Sequence, residues 1–133
     1  MTEELFERLK KLRAAWVARG WSWDNRFNCV ASTFQIEEAD RARELVLQTL
    51  PHEVNSRTID QAPELFQRVA KSTGGVRSDQ LMFGHGDDRT IAFALWWPWG
   101  GEVSERISLR VGLAGRVSTE HEFELRKIFN AFD

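Results

Sequence analysis

Residues 80–111, QLMFGHGDDRTIAFALWWPWGGEVSERISLRV, decide how the chain is built. They read as three strands in succession, Gln80 to Gly84, Thr90 to Trp97 and Glu105 to Val111. Leu81 and Phe83, then Ile91, Phe93, Leu95 and Trp97, then Ile107, Leu109 and Val111 all carry odd numbers. Each strand therefore offers one strongly apolar face at the period of two that a pleated strand requires. The even positions read Gln80, Met82, Thr90, Ala92, Ala94, Trp96, Arg106, Ser108 and Arg110, a smaller, more polar and cationic face with one large ring. This pattern predicts an antiparallel meander with the odd positions turned to the core.

Outward from the meander, the chain alternates strand and helix signals. From Glu3 to Arg19, Leu5, Leu9, Leu12 and Trp16 recur at helical spacing, Glu4–Arg8 and Glu7–Lys11 form i,i+4 pairs, and Gly20 gives the stop. Trp21 to Arg26 reads as a loop whose Trp21 and Trp23 fold back on that helix. Phe27 to Ile36 is rich in β-formers and predicts a fourth strand joining the sheet. A second helix is expected from Glu37 to Leu50, acidic in its first turn, where the macrodipole favours negative charge, and ended by Pro51. His52 to Thr58 is compatible with a loop or a short edge strand. Asp60 is the expected N-cap of a third helix with Pro63 in its first turn and Gly74-Gly75 after it. Gly84 to Arg89 suits a tight hairpin, Pro98 to Glu102 a longer loop with Trp99 at its tip, and Gly112 to Gly115 a connection. A last helix carries Leu125, Ile128, Phe129 and Phe132, with Thr119 and Glu122 as its capping box. The expected fold is α+β: the three-strand meander plus one N-terminal strand, packed by about four helices.

A chain of 133 residues is near the modal domain size, so one globular domain over residues 1–133 is expected, with roughly 70% of its unfolded surface buried. A net charge of −2 lacks the basic excess of a nucleic-acid binder, and nucleic acid is not an expected partner. Cys29 is the sole cysteine, which excludes an intrachain disulfide and a multi-cysteine zinc site and fits a cytoplasmic location. The first residues interleave Glu3, Glu4 and Glu7 with apolar ones, unlike a signal peptide or a membrane span. No membrane partner is expected.

The chemistry-bearing motifs are sparse. Gly84 to Arg89 has the form G-x-G-x-x-R, but a dinucleotide loop needs a third Gly opening a helix, and a strand follows here. His85, Asp87 and Asp88 are metal-ligand types, yet Gly and Asp are what a hairpin turn requires, so no metal is expected. His121-Glu122 lacks the second His that a zinc helix needs one turn later, where Leu125 stands. Cys29 sits among Phe27, Val30 and Ala31 and reads as a buried thiol. Gly112 to Gly115 ahead of a helix offers free N–H groups to an anion, but a connecting loop explains the glycines as well. No serine-nucleophile elbow or phosphate loop occurs, and no catalytic residue, metal or cofactor is assigned.

The aromatic and cationic positions remain. The chain has 6 Trp, 9 Phe and no Tyr. Trp96 shares its face with Arg106 and Arg110, so a guanidinium can stack over the indole, and Trp99 stands at a glycine-flanked tip. Trp and Arg are enriched among interface hot spots. The expectation is a non-enzymatic cytoplasmic protein that binds another protein through Trp96, Trp99, Arg106 and Arg110. By fold-level analogy alone this suits an immunity or antitoxin-like protein, or a chaperone of a secreted effector. The competing reading is a ligand-binding or enzymatic domain with a Trp-lined pocket. The sequence indicates neither the partner nor an oligomeric state.

Overall fold

The computed structural model describes residues 2–99 and 105–132. Six antiparallel strands form one sheet: β1 (Ser22–Asp24), β2 (Cys29–Gln35), β3 (His52–Val54), β4 (Leu81–Gly86), β5 (Thr90–Trp99) and β6 (Arg106–Gly115). Their spatial order is β1-β2-β6-β5-β4-β3. The helices are α1 (Thr2–Ala15), α2 (Ala39–Thr49), α3 (Glu64–Ser72) and α4 (Thr119–Phe129). The class is α+β as expected, but the sheet has six strands where four were expected. β1 is an addition, within the Trp21 to Arg26 stretch expected to be a loop, and β3 is the short edge strand left open for His52 to Thr58; each has three residues. That is too short for a period to stand out against a loop.

The larger correction concerns which residues share a face. Leu81 pairs with Trp96, Phe83 with Ala94 and Val111 with Ala94, so an odd residue on β4 or β6 lies beside an even one on β5. Ala92, Ala94 and Trp96 therefore share one face with Phe83, Ile107, Leu109 and Val111, while Ile91, Phe93, Leu95 and Trp97 point to the other. Numbering within a strand fixes alternation; only the turn lengths fix how alternations match between strands.

On the first face lies the main core. Leu5, Leu9 and Leu12 of α1, Leu45 and Val46 of α2, and Leu125 and Phe129 of α4 close over Val30, Phe34, Phe83, Trp96 and Leu109. Each such side chain contributes on the order of 1.5–3 kcal/mol by leaving water. On the second face, among the described residues, α3 alone supplies a lid. Its Leu65, Phe66 and Val69 pack on Val54, Met82, Ile91, Phe93 and Leu95, a cluster that includes Cys29 of β2 but no residue from Ala31 to Gln35.

Local chemistry explains where the elements stop. α1 ends at Ala15, short of Gly20, and Trp16 donates its indole N–H to Ser32 Oγ at 3.0 Å instead of extending the helix. Glu7 pairs with Lys10 rather than Lys11. Asp60 does not cap α3: it lies in a 3-10 turn, Ile59–Gln61, and Ala62 is extended, as the residue before a proline tends to be. Pro63 is the N-cap. The capping box of α4 is one residue earlier than Thr119 and Glu122. Ser118 Oγ accepts from the His121 N–H, and His121 Nδ1 accepts from the Ser118 N–H, both at 3.2 Å. His121 thus takes the part usually played by a glutamate. Residues 112–115 belong to β6 instead of a connection. A Cβ on Gly112 would lie 2.6 Å from a Phe93 ring carbon and 2.9 Å from Cys29 Sγ, so glycine is there for close packing and offers no anion loop.

Candidate functional site

The half of the second face that α3 leaves uncovered, across β2, β6 and the end of β5, gathers the charged and aromatic residues. Arg110 pairs with Ala31 on one side and Leu95 on the other; Ser108 pairs with Thr33 and Trp97, and Arg106 with Gln35 and Trp99. Period two then places Arg106, Ser108, Arg110, Trp97, Trp99 and Thr33 on one surface.

Arg110 is fixed in place. Its Nε donates to Asp24 Oδ2 at 2.9 Å and its NH1 group to Ser108 Oγ at 2.6 Å, and the guanidinium carbon stands 4.6 Å from the Trp97 ring centroid. The Arg110 and Asp24 side chains are only 11% and 15% exposed. Burial pushes the Asp24 carboxyl up, but hydrogen bonds from Arg110 and from the Arg26 N–H outweigh it and hold the carboxyl below its ordinary value. Phe27 stands edge-on to Trp97 at 5.6 Å, and the Arg26 guanidinium covers Phe27 at 4.5 Å. A layered stack of ring and cation results, anchored at one end by an ion pair.

Of the positions expected to bind, Trp99 and Arg106 are exposed on this surface, Trp99 at 53%, and Arg110 forms part of its floor. Trp96 is a correction. It is 6% exposed, sits among Phe34 and Phe83 in the main core, and lies on the opposite face from both arginines. The expected stacking does occur, with Trp97 as the ring. Trp97 was missed because β5 was phased with β6 by number rather than by register, and Asp24 and Phe27 because they reach the surface from β1 and the turn after it. Ala92 and Ala94 held the clue, since a strand with apolar residues at both parities is buried on both faces. Pro98 and Trp99 extend β5, while residues 100–102 of the expected loop lie outside the described residues.

A cleft of ≈ 380 Å³ opens beside Trp99, between the end of β5 and the segment joining α3 to β4. Arg26, Arg77, Gln80, Phe27, Trp97 and Trp99 are among the residues that line it, and none of the described lining residues is acidic.

Acid–base or nucleophilic chemistry finds no support among the described residues of this surface. Asp24 is held ionised by Arg110, and the Ser108 hydroxyl accepts from Arg110, a cation that cannot serve as its base. Burial, aided by the charge of Asp24, pushes the Cys29 thiol up to about 12, and its S–H faces the Phe27 carbonyl at 3.2 Å. Elsewhere, His85 Nε2 reaches Glu4 Oε1 at 3.4 Å, and Asp87 accepts from the Arg89 and Thr90 N–H groups to shape the hairpin. Among the described residues no three His, Cys, Asp or Glu side chains come together as metal ligands, and no helix is long and apolar enough to cross a membrane. Comparison with known proteins returns no matching family model, no matching curated protein and no matching solved structure.

Proposed function

We propose that this chain is a non-enzymatic, cytoplasmic protein-binding domain that docks another protein on the uncovered half of its sheet, with Trp99 as the anchor, Arg106 beside it and Arg110 in the floor. Neutralisation of a toxin, in the manner of an immunity protein or antitoxin, is the sharpest form of this reading; holding a secreted effector is its close relative. The observation that carries it is Trp99, a large ring 53% exposed at the end of a strand that is buried from Thr90 to Trp96. A tryptophan left in water beside a fixed ring-and-guanidinium stack has the composition of an interface hot spot. Such a surface also starts with little ordering cost, because Arg110 and Trp97 are held before any partner arrives.

The cleft favours the competing reading in one respect, since its volume is within the range of small-molecule sites. The experiment is to recover the binding protein with the tagged chain, identify it by mass spectrometry, express it separately and titrate it. Trp99→Ala is expected to weaken binding by about 2 kcal/mol or more, and Arg106→Glu to slow association and flatten its salt dependence. Titrations in which neither variant differs from the parent would remove this surface as the docking site.

A further inference from the structure

Arg77 is exposed in the segment between α3 and β4, and among the described residues its side chain has no ion-pair partner. The local chain holds it at the rim of the cleft beside Trp99. Its N–H donates to Gln80 Oε1 at 2.9 Å and its carbonyl accepts from the Gln80 N–H at 3.0 Å, a reciprocal pair that closes a tight turn. With Gln80 Oε1 so engaged, the side-chain amide retains its two N–H donors. Arg26 also lines the cleft, and the carboxylate it pairs with, Asp24, is 4.0 Å away and already bound to Arg110. The lining thus combines two guanidinium groups and an amide with the rings of Phe27, Trp97 and Trp99, and among the described residues it has no carboxylate. The C-terminus of α3 reaches the cleft at Thr73, and two of its last carbonyls are satisfied within the chain. The Thr73 N–H and hydroxyl and the Gly75 N–H donate to the Val69 and Ala70 carbonyls.

We infer that this cleft takes a carboxylate side chain from an acidic segment of the partner, clamped between Arg77 and Arg26, with a neighbouring aromatic side chain of the same segment against Trp99. The inference rests on the protein-binding reading above and adds the chemistry of the bound segment. Guanidinium is suited to the task because its planar fork matches a carboxylate with two parallel hydrogen bonds. The ring wall supplies the apolar contact that a carboxylate alone lacks, and excludes water from the pair.

The test uses the whole chain and a fluorescein-labelled, end-capped peptide of alternating glutamate and phenylalanine, beside its glutamine-for-glutamate counterpart. The parent chain should bind the glutamate peptide saturably, and Arg77→Ala should weaken that binding by about tenfold, the loss of one charge-assisted contact. Arg77→Lys should recover only part of it, because an ammonium cannot fork. The glutamine peptide should bind about tenfold more weakly than the glutamate peptide. Equal binding of the two peptides, unchanged binding by Arg77→Ala, or no saturable binding by the parent up to about 1 mM would overturn the inference. Binding of sodium benzoate in an Arg77-dependent way, without binding of the peptide, would overturn it too and assign the cleft to a small anion. The purified partner separates the two levels. Affinity lost in Trp99→Ala but kept in Arg77→Ala sinks the cleft inference alone, whereas affinity kept in both sinks the docking surface as well.

Discussion

Trp96 and Trp99 lie three positions apart on one strand and meet opposite fates. Trp96 is on the face closed by α1, α2 and α4, where Phe34 and Phe83 meet its ring edge to face. Trp99 is on the face that α3 only half covers, and more than half of its surface is in water. The closed face owes its order to volume, with large apolar side chains from three helices filling the space above the sheet. On the half-open face, order comes from directed contacts: an ion pair, a hydroxyl and a stacked guanidinium hold Arg110 and Trp97 without a helix above them. A small domain can thus keep a polar, aromatic surface rigid without burying it in a core.

Substitutions grade the contrast. Trp96→Ala opens a cavity in the closed core and is expected to cost about 3–5 kcal/mol, read as a lower urea midpoint at unchanged slope. Asp24→Asn strips Arg110 of its charged partner and should cost about 1.5–3 kcal/mol at neutral pH. This second loss depends on pH. The Asp24 carboxyl is held below its ordinary value in the folded chain, so the pair stabilises fully above the unfolded carboxylate pKa of about 3.9 and less as acid protonates it through the lower folded value. The gap between the parent and Asp24→Asn should therefore narrow below about pH 4, and a gap that stays constant into strong acid would show that the charge of Asp24 is not what holds Arg110.

Ser118→Ala removes the N-cap oxygen of α4, one of the helices that close the first face, and is expected to cost about 0.5–2 kcal/mol; Thr119→Ala should leave the thermal midpoint nearly unchanged. Trp99→Ala should have the smallest effect on folding, within about 0.5 kcal/mol, as befits a side chain in water. A cost for Trp99→Ala approaching that for Trp96→Ala would collapse the contrast and mean that the second face is closed after all.

The sequence shows the elements better than their assembly. The spacing of Leu5, Leu9 and Leu12 locates α1, and the alternation through Ile91, Phe93, Leu95 and Trp97 locates β5, because both periods are local properties of the backbone. Which face of β5 meets which face of β6 depends on a register set by residues far apart, and numbering alone paired Trp96 with Arg110 where the fold pairs Trp97 with it. The cap of α4 was off by one residue because Ser118-x-x-His121 and Thr119-x-x-Glu122 overlap, and only geometry shows that a ring nitrogen replaces the carboxylate. Gly112 and Gly115 looked like a connection; Phe93 and the Arg89 carbonyl leave no room for a Cβ at either, and that crowding has no local signature. For the site, Trp99, Arg106 and Arg110 were legible as residue types, while Asp24, Phe27 and Arg77 come to it from other parts of the chain.

The buried thiol gives the molecule a built-in clock. Cys29 is the only cysteine, fully shielded beneath Phe93 and Gly112, with its proton held tightly by its surroundings. Thiolate is the form that alkylating reagents consume, so modification by iodoacetamide has to wait for the packing around β2 to open. The rate at which the folded chain takes up one label, compared with that of the unfolded chain, then measures how often the half-lidded side of the sheet breathes, with no cysteine added to the sequence.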